Sequence, residues 1–283
     1  MPNLITHFDD HWETTDSLKI HAEGWAGEEP PRAVVGLVHG IGEHIGRYAH
    51  VGQFLAQSGY ACMGFDLRGH GRSGGGRGHT PHYQALLDDI AIFLDRLQAR
   101  YPGSPVFLYG HSLGGNLALN FVLRRKPELT GVVASAPALR LAFEPPPAKV
   151  ALAYLMNRVL PAFSQSSGLE TAALSREAKI VQAYINDPLV HDRVSARMFV
   201  GFYQSGLWAL QNAHALSVPV LLIHGSADRL TSVEASREFA RKAGEMCTLQ
   251  VWQGLYHEMH NEPEQGEVLE FVLSWMEQRL HGE

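Results

Sequence analysis

The residues best suited to chemistry lie in Gly110-His111-Ser112-Leu113-Gly114, between an apolar run, Val106 to Tyr109, and a stretch of helical character, Leu113 to Leu123. A G-x-S-x-G sequence in a strand-turn-helix setting is what a nucleophile elbow requires: the turn is tight, its neighbours are small, and the serine hydroxyl stands above the sheet. The N-terminal N–H groups of the following helix then face the oxygen beside which Ser112 attacks. A serine hydroxyl is a weak nucleophile until an imidazole takes its proton and a carboxylate orients that imidazole. In this architecture the carboxylate and then the histidine follow the serine, each on a loop after a later strand.

Two loops meet that requirement. Val218 to His224 runs into Gly225-Ser226-Ala227-Asp228-Arg229, and Cys247 to Trp252 runs into Gly254-Leu255-Tyr256-His257. Asp228 and His257 therefore end consecutive strands at the edge where Ser112 emerges. Asp66 also ends a strand but precedes Ser112 and breaks the order. Asp228 could instead cap its own loop, and His260 could replace His257 as the base. With sixteen histidines in the chain a nearby imidazole is cheap, so chain position selects Asp228 and His257.

Cleaving an acyl group also requires two backbone donors for the oxyanion. One is the N–H of Leu113, directly after the nucleophile. The other is expected from His39-Gly40-Ile41-Gly42, most plausibly the N–H of Ile41, with glycines that let the backbone approach the substrate. A Gly-x-Gly loop could cradle phosphate, but no Lys-Ser/Thr pair follows and the spacing of a dinucleotide loop is absent.

These positions need a parallel sheet. Ala33 to His39, Ala61 to Leu67, Val106 to Tyr109, Gly131 to Ala136, Val218 to His224 and Cys247 to Trp252 read as strands, several of them continuously apolar as in a sheet covered on both faces. Helices are expected at about Arg47 to Gln57, His82 to Arg100, Val233 to Lys242 and Glu264 to Leu280. The second of these carries Leu86, Ile90, Phe93 and Leu97 on one face. Thr6 to Trp25 reads as an edge hairpin, and Arg68 to Gly78 as a glycine-rich loop. The alternation predicts an α/β fold with a mostly parallel, doubly wound sheet. Residues 1–136 and 217–283 form the core in this reading, and 137–216 an inserted helical cap. In the cap, Lys149 to Leu160 is apolar nearly all round, too greasy for a solvated helix and too short to cross a bilayer.

Composition excludes other classes. The chain has 283 residues, 45% hydrophobic and 18% charged, with a net charge of −6, and no Lys/Arg run, which argues against a nucleic-acid surface. Cys62 and Cys247 lie in apolar runs and are expected to be buried thiols, with no disulfide framework. Neither a secretory signal nor a membrane span is visible, so a cytoplasmic protein is expected, compatible with peripheral membrane contact through the cap.

Across nearly its whole length the chain resembles the monoacylglycerol lipases of the α/β-hydrolase superfamily, within the serine aminopeptidase/lysophospholipase-like group. The resemblance rests on His39-Gly-Ile-Gly-Glu-His-Ile-Gly-Arg-Tyr48, Asp66-Leu-Arg-Gly-His-Gly-Arg-Ser73, Tyr101-Pro-Gly-Ser-Pro-Val-Phe107 and Gly110-His-Ser-Leu-Gly-Gly115. It continues in Tyr184-Ile-Asn-Asp-Pro-Leu189, Gly225-Ser-Ala-Asp-Arg-Leu230 and Tyr256-His-Glu-Met-His260. It implies a triad of Ser112, Asp228 and His257, with Ile41 and Leu113 as oxyanion donors. It also implies an acyl tunnel walled by the cap, with Glu43, Arg47, Tyr184 and His260 near a polar, glycerol end. The implied reaction is hydrolysis of a monoacylglycerol to glycerol and fatty acid without metal or cofactor. A lysophospholipase or broad carboxylesterase would use the same triad, and Arg47 and Arg72 are the charges available to a phosphate head. A non-catalytic lipid-binding role is the third reading. Ile41 stands where mammalian relatives have a smaller residue, and Thr231 where they have cysteine.

Overall fold

The computed structural model describes residues 4–282. Its strands are β1 (Thr6–Glu13), β2 (Lys19–Ala26), β3 (Val34–Val38), β4 (Ala61–Phe65), β5 (Val106–His111), β6 (Gly131–Ser135), β7 (Ser164–Ser166), β8 (Arg193–Ser195), β9 (Val220–Gly225) and β10 (Cys247–Trp252). Its α-helices are α1 (Ala49–Gln57), α2 (Tyr83–Arg100), α3 (Leu113–Arg125), α4 (Pro147–Val159), α5 (Ala178–Asn186), α6 (Ala196–Asn212), α7 (Val233–Ala243) and α8 (Gln265–His281). Eight strands form one sheet in the order β1-β2-β4-β3-β5-β6-β9-β10. From β4 to β10 the neighbours are parallel, while β1–β2 and β2–β4 are antiparallel. The expected edge hairpin is thus in place, at one end of the sheet.

Strand side chains alternate between two faces, and so do the two cores. Val34 and Val38 of β3, Val106 and Leu108 of β5, and Val220 and Leu222 of β9 pack with α2, α3, α6 and α7. Val35 and Leu37, Phe107 and Tyr109, and Leu221 and Ile223 of the same strands pack with α1 and α8. Both faces are covered, which is why these strands read as continuous apolar runs. β9 begins at Val220, two residues later than expected, because Pro219 has no N–H for the ladder.

Helix α2 buries the expected stripe, Leu86, Ile90, Phe93 and Leu97, and its N-terminus is capped by the His82 ring accepting from the Ala85 N–H at 2.9 Å. Between β6 and β9 the chain is of two kinds. α6 packs on α2, α3 and α7 and sends Met198, Ala209 and Leu210 into the core. α4, by contrast, buries no residue completely and touches α6. The three-residue pair β7–β8 was not anticipated, since Ser164-Gln165-Ser166 has no apolar pattern. Cys62 is buried as expected, but Cys247 opens the edge strand β10 and is only half-buried. Among the described residues no helix is long and apolar enough to cross a membrane.

Phe93 packs against Phe65 at 4.7 Å and Trp12 at 6.1 Å between ring centroids and is fully buried. Phe93→Ala is expected to cost about 3–5 kcal/mol of stability, the ordinary range for emptying an aromatic core site. Urea unfolding of the two proteins measures it; a loss under about 1 kcal/mol would mean that α2 can collapse onto the sheet without this ring.

Candidate active site

Ser112 sits at the sharp reversal between β5 and α3 with φ 53° and ψ −113°, a conformation that ordinary L residues avoid. Hydrogen bonds hold it there. Its N–H donates to Ser135 O at 2.9 Å, and its carbonyl accepts from Asn116 N–H and Ala138 N–H, each at 3.0 Å. The glycines beside it are required by space. A Cβ on Gly110 would lie 2.2 Å from Gly114 O, and one on Gly114 would lie 1.9 Å from Val38 O. Leu113 opens α3, so its N–H has no partner within the helix.

The loop after β3 runs against this turn. A Cβ on Gly40 would fall 3.2 Å from Ser112 Cβ and 2.8 Å from Glu43 Oε1. The Gly40 N–H donates to Glu43 Oε1 at 2.7 Å, which fixes the loop, and Ile41 lines the same cleft as Ser112. The cleft, about 240 Å³, is lined further by Glu43, His111, Tyr184, His257 and Glu258, with Leu169 and Leu174 closing it from the segment between β6 and β9.

The parallel sheet brings the ends of β9 and β10 to this edge. His257 Nδ1 lies 2.7 Å from Asp228 Oδ2, leaving Nε2 as the ring nitrogen for the cleft. Asp228 does both jobs considered for it. Its Oδ1 accepts from the N–H groups of Leu230 and Thr231 at 2.7 and 3.1 Å, capping its loop, while Oδ2 faces His257. Oδ2 also receives the Thr231 hydroxyl at 2.8 Å and lies 3.1 Å from His224 Nε2. Burial alone would raise the Asp228 carboxyl, but the facing His257 and the contact with His224 outweigh it and hold the group well below the ordinary range. Burial also lowers the proton affinity of His257, and the Asp228 charge reverses this, so its pKa rises above 6.5. His260, the alternative base, lies elsewhere. It is fully buried, stacks on Tyr48 at 4.8 Å, meets the His111 ring edge to face at 4.9 Å, does not line the cleft, and is pushed down to about 3 by burial.

The residues expected at a polar end divide into two layers. Glu43 and Tyr184 line the cleft, whereas Arg47 lies behind them. Its guanidinium holds Glu258 with two hydrogen bonds, 2.8 and 2.7 Å, pairs with Glu43, and sits 4.8 Å from the Tyr184 ring centroid. One arginine therefore serves two buried carboxylates. Burial would raise Glu258, but the paired arginine brings it down to about 2. Glu43 is raised, by burial and by the neighbouring Glu258 charge, in spite of Arg47. Arg72 is not at the cleft at all; it belongs to the β1–β2 edge, with Asp9, His21 and Glu23.

Sequence reasoning missed His224 and Glu258. His224 is the penultimate residue of β9, four residues before Asp228, a spacing that could have suggested contact. Glu258 adjoins His257, but its partner Arg47 is 211 residues away, and no local spacing announces that pair.

Known proteins resemble this chain over most of its length. The family described as serine aminopeptidase, S33, matches residues 29–264. A monoacylglycerol lipase of Mycolicibacterium smegmatis is 37% identical over 268 residues, 93% of this chain and 94% of that protein. Phospholipase YtpA of Bacillus subtilis is 31% identical over 259 residues, 90% of this chain and 99% of that protein. The crystal structure of a monoacylglycerol lipase from Paleococcus ferrophilus matches with a TM-score of 0.82 at 35% identity, covering 98% of this chain and 100% of that one. With one family spanning the sheet and the site together, the chain belongs to the serine aminopeptidase, S33, family and is a serine hydrolase of α/β-hydrolase fold.

Proposed function

We propose that this enzyme hydrolyses monoacylglycerols to free fatty acid and glycerol through an acyl-enzyme on Ser112. The observation that carries the mechanism is the 2.7 Å His257–Asp228 contact beside a cleft shared by His257 and Ser112. Ser112 Oγ attacks the ester carbonyl carbon while His257 Nε2 takes its proton. The carbonyl oxygen, now negative, is received by the N–H groups of Ile41 and Leu113. The tetrahedral species collapses, the ester C–O bond breaks, and His257 returns the proton to the departing glycerol oxygen. Water then enters and attacks the acyl carbon while giving a proton to His257, and as the C–Oγ bond breaks His257 returns that proton to Ser112 Oγ and the fatty acid leaves. Asp228 holds the ring throughout.

Electrostatics and the 37% identical lipase support the choice of head group. Glu43 and Glu258 are the acidic groups lining the cleft, and Arg47 is committed to both. A neutral glycerol can hydrogen-bond Glu43 and Tyr184, with Arg47 behind them and His260 stacked on Tyr48, whose hydroxyl donates to Glu43 Oε1. A phosphate head would meet the two carboxylates, and of the arginines considered for it Arg47 is paired with them and Arg72 lies at the sheet edge. The phospholipase among the relatives makes that comparison the informative one.

We draw the core as extending through α6 and the cap as ending before it. Leu152, Leu155 and Val159 of α4, with Leu160 and Phe163 after it, are each more than half exposed. Such a patch fits peripheral contact with a lipid surface.

Three outcomes are expected. On 1-monoacylglycerols of several chain lengths, Ser112→Ala should lower fatty-acid release by about 10⁴–10⁶-fold. Lysophosphatidylcholine in parallel should be a poor substrate; preferential turnover of it would reassign the head-group site, and full biological activity of the Ser112→Ala form would favour a binding role. The acid limb of kcat/KM should have its midpoint above 6.5, because His257 must be unprotonated to act and Asp228 raises its pKa. Asp228→Asn should move that midpoint down and cut the plateau by about 10³–10⁴-fold; an unmoved limb would belong to another group. Finally, Leu152→Glu with Leu155→Glu should weaken binding to phosphatidylcholine vesicles and slow hydrolysis of vesicle-borne substrate, with a soluble short-chain ester unaffected. Equal losses on both substrates would locate the two leucines in the acyl path instead.

A further inference from the structure

The antiparallel hairpin at the sheet edge carries a second cluster that the ester chemistry does not use. Its register sets Asp9 opposite Glu23 and His11 opposite His21. Side chains two apart share a strand face, so His7, Asp9 and His11 of β1 meet His21 and Glu23 of β2. His21 and Glu23 are buried although they lie next to the open edge of the sheet, while Asp9 is exposed.

Three donor atoms converge. Glu23 Oε1 is 3.3 Å and Asp9 Oδ1 3.7 Å from His21 Nε2, and all three atoms lie within 4.8 Å of one another. Ligands bound at 2.0–2.2 Å to a tetrahedral zinc ion stand about 3.3–3.6 Å apart, so the spacing is close to that of a chelate. A cationic nitrogen already occupies their focus. Arg72 Nη1 is 3.2 Å from His21 Nε2, 3.4 Å from Glu23 Oε1 and 3.8 Å from Asp9 Oδ1.

His21 Nδ1 lies 3.2 Å from His11 Nε2, which leaves Nε2 as the ring nitrogen that faces both carboxylates and Arg72. His7 Nε2, 3.0 Å from Glu23 Oε2, orients the carboxylate from the other side. Each buried ligand is therefore steadied by a histidine of β1, the arrangement that outer groups adopt around metal-binding side chains.

We propose that His21 Nε2, Glu23 Oε1 and Asp9 Oδ1 form a site for a divalent transition-metal ion of the zinc class. Arg72 holds the site as an internal counter-ion until the metal displaces it. The guanidinium is half-exposed on a flexible stem and can swing into solvent, while its backbone stays tied through the Arg72 N–H to Asp66 Oδ2 at 2.7 Å. An imidazole with two carboxylates suits zinc, and a water completes the tetrahedron. The site is separate from the cleft, and its role would be to clamp the edge hairpin to the sheet.

The test is calorimetric titration of the metal-stripped full-length protein with zinc chloride, alongside thermal unfolding. Wild type should bind one ion saturably and unfold at a higher temperature when loaded. Arg72→Ala, which removes the competing cation, should bind at least tenfold more tightly. His21→Ala and Glu23→Gln should each lose at least tenfold, and Asp9→Asn, at an exposed position that does not endanger folding, should weaken binding as well. No saturable binding by wild type or Arg72→Ala would overturn the proposal. So would equal affinity in the Asp9 and Glu23 variants, because the ion would then be held by other histidines. Weaker binding in Arg72→Ala would overturn the displacement step.

Discussion

Everything at the site depends on one backbone conformation, Ser112 at φ 53° and ψ −113°. Such a residue persists only where its surroundings over-determine it. Here the determinants come from four directions: β5 before it, α3 after it, the Ser135 carbonyl of β6 and the Ala138 N–H beyond. The strain is therefore carried by the centre of the sheet, its most constrained part. The same geometry brings the Leu113 N–H, the Ile41 loop and the serine hydroxyl to one rim. A sheet with a different strand order would lose all three together, since β3 and β6 are the two neighbours of β5.

The charges around that rim form two separate systems. Asp228 is supported from its own loop, from Thr231 and from His224, and it remains ionised where an unsupported buried carboxylate would take up a proton. Glu43 and Glu258 instead compete for Arg47. The bidentate pairing favours Glu258, so Glu43 is the carboxyl displaced upward. Glu43 is also the residue that anchors Gly40, and it ties the loop after β3 to the loop of His257 through a single guanidinium. A change at Arg47 thus acts on two loops at once and leaves two carboxylates buried without a cation.

The sheet and the meeting of Asp228 with His257 were legible because both are written locally. Runs such as Val34 to Val38 and Val220 to Ile223 must be covered on both faces, and the loops after them carry the polar residues at predictable offsets. The order Ser112, Asp228, His257 follows from strand order alone. What was not legible depends on pairs distant in sequence. Nothing near Arg72 says that its side chain turns away from the cleft to His21, 51 residues earlier. Nothing near His260 says that it meets the His111 ring edge to face and does not line the cleft. The pair β7–β8 escaped for another reason: three-residue polar strands have no hydrophobic period to detect.

The boundary of the cap is a question of packing, and the two helices at issue answer it oppositely. α6 has a stripe, Met198, Ala209 and Leu210, that fills the same core as α3, so removing it would open the sheet to water. α4 is apolar nearly all round but buries no residue completely, leaving its leucines in contact with solvent. Apolar sequence alone could not separate them, because both helices are hydrophobic. The difference lies in whether a second surface exists to receive the apolar face. α6 finds it within the chain, in α2, α3 and α7; α4 packs on α6, and Leu152, Leu155 and Val159 on its outward face stay exposed.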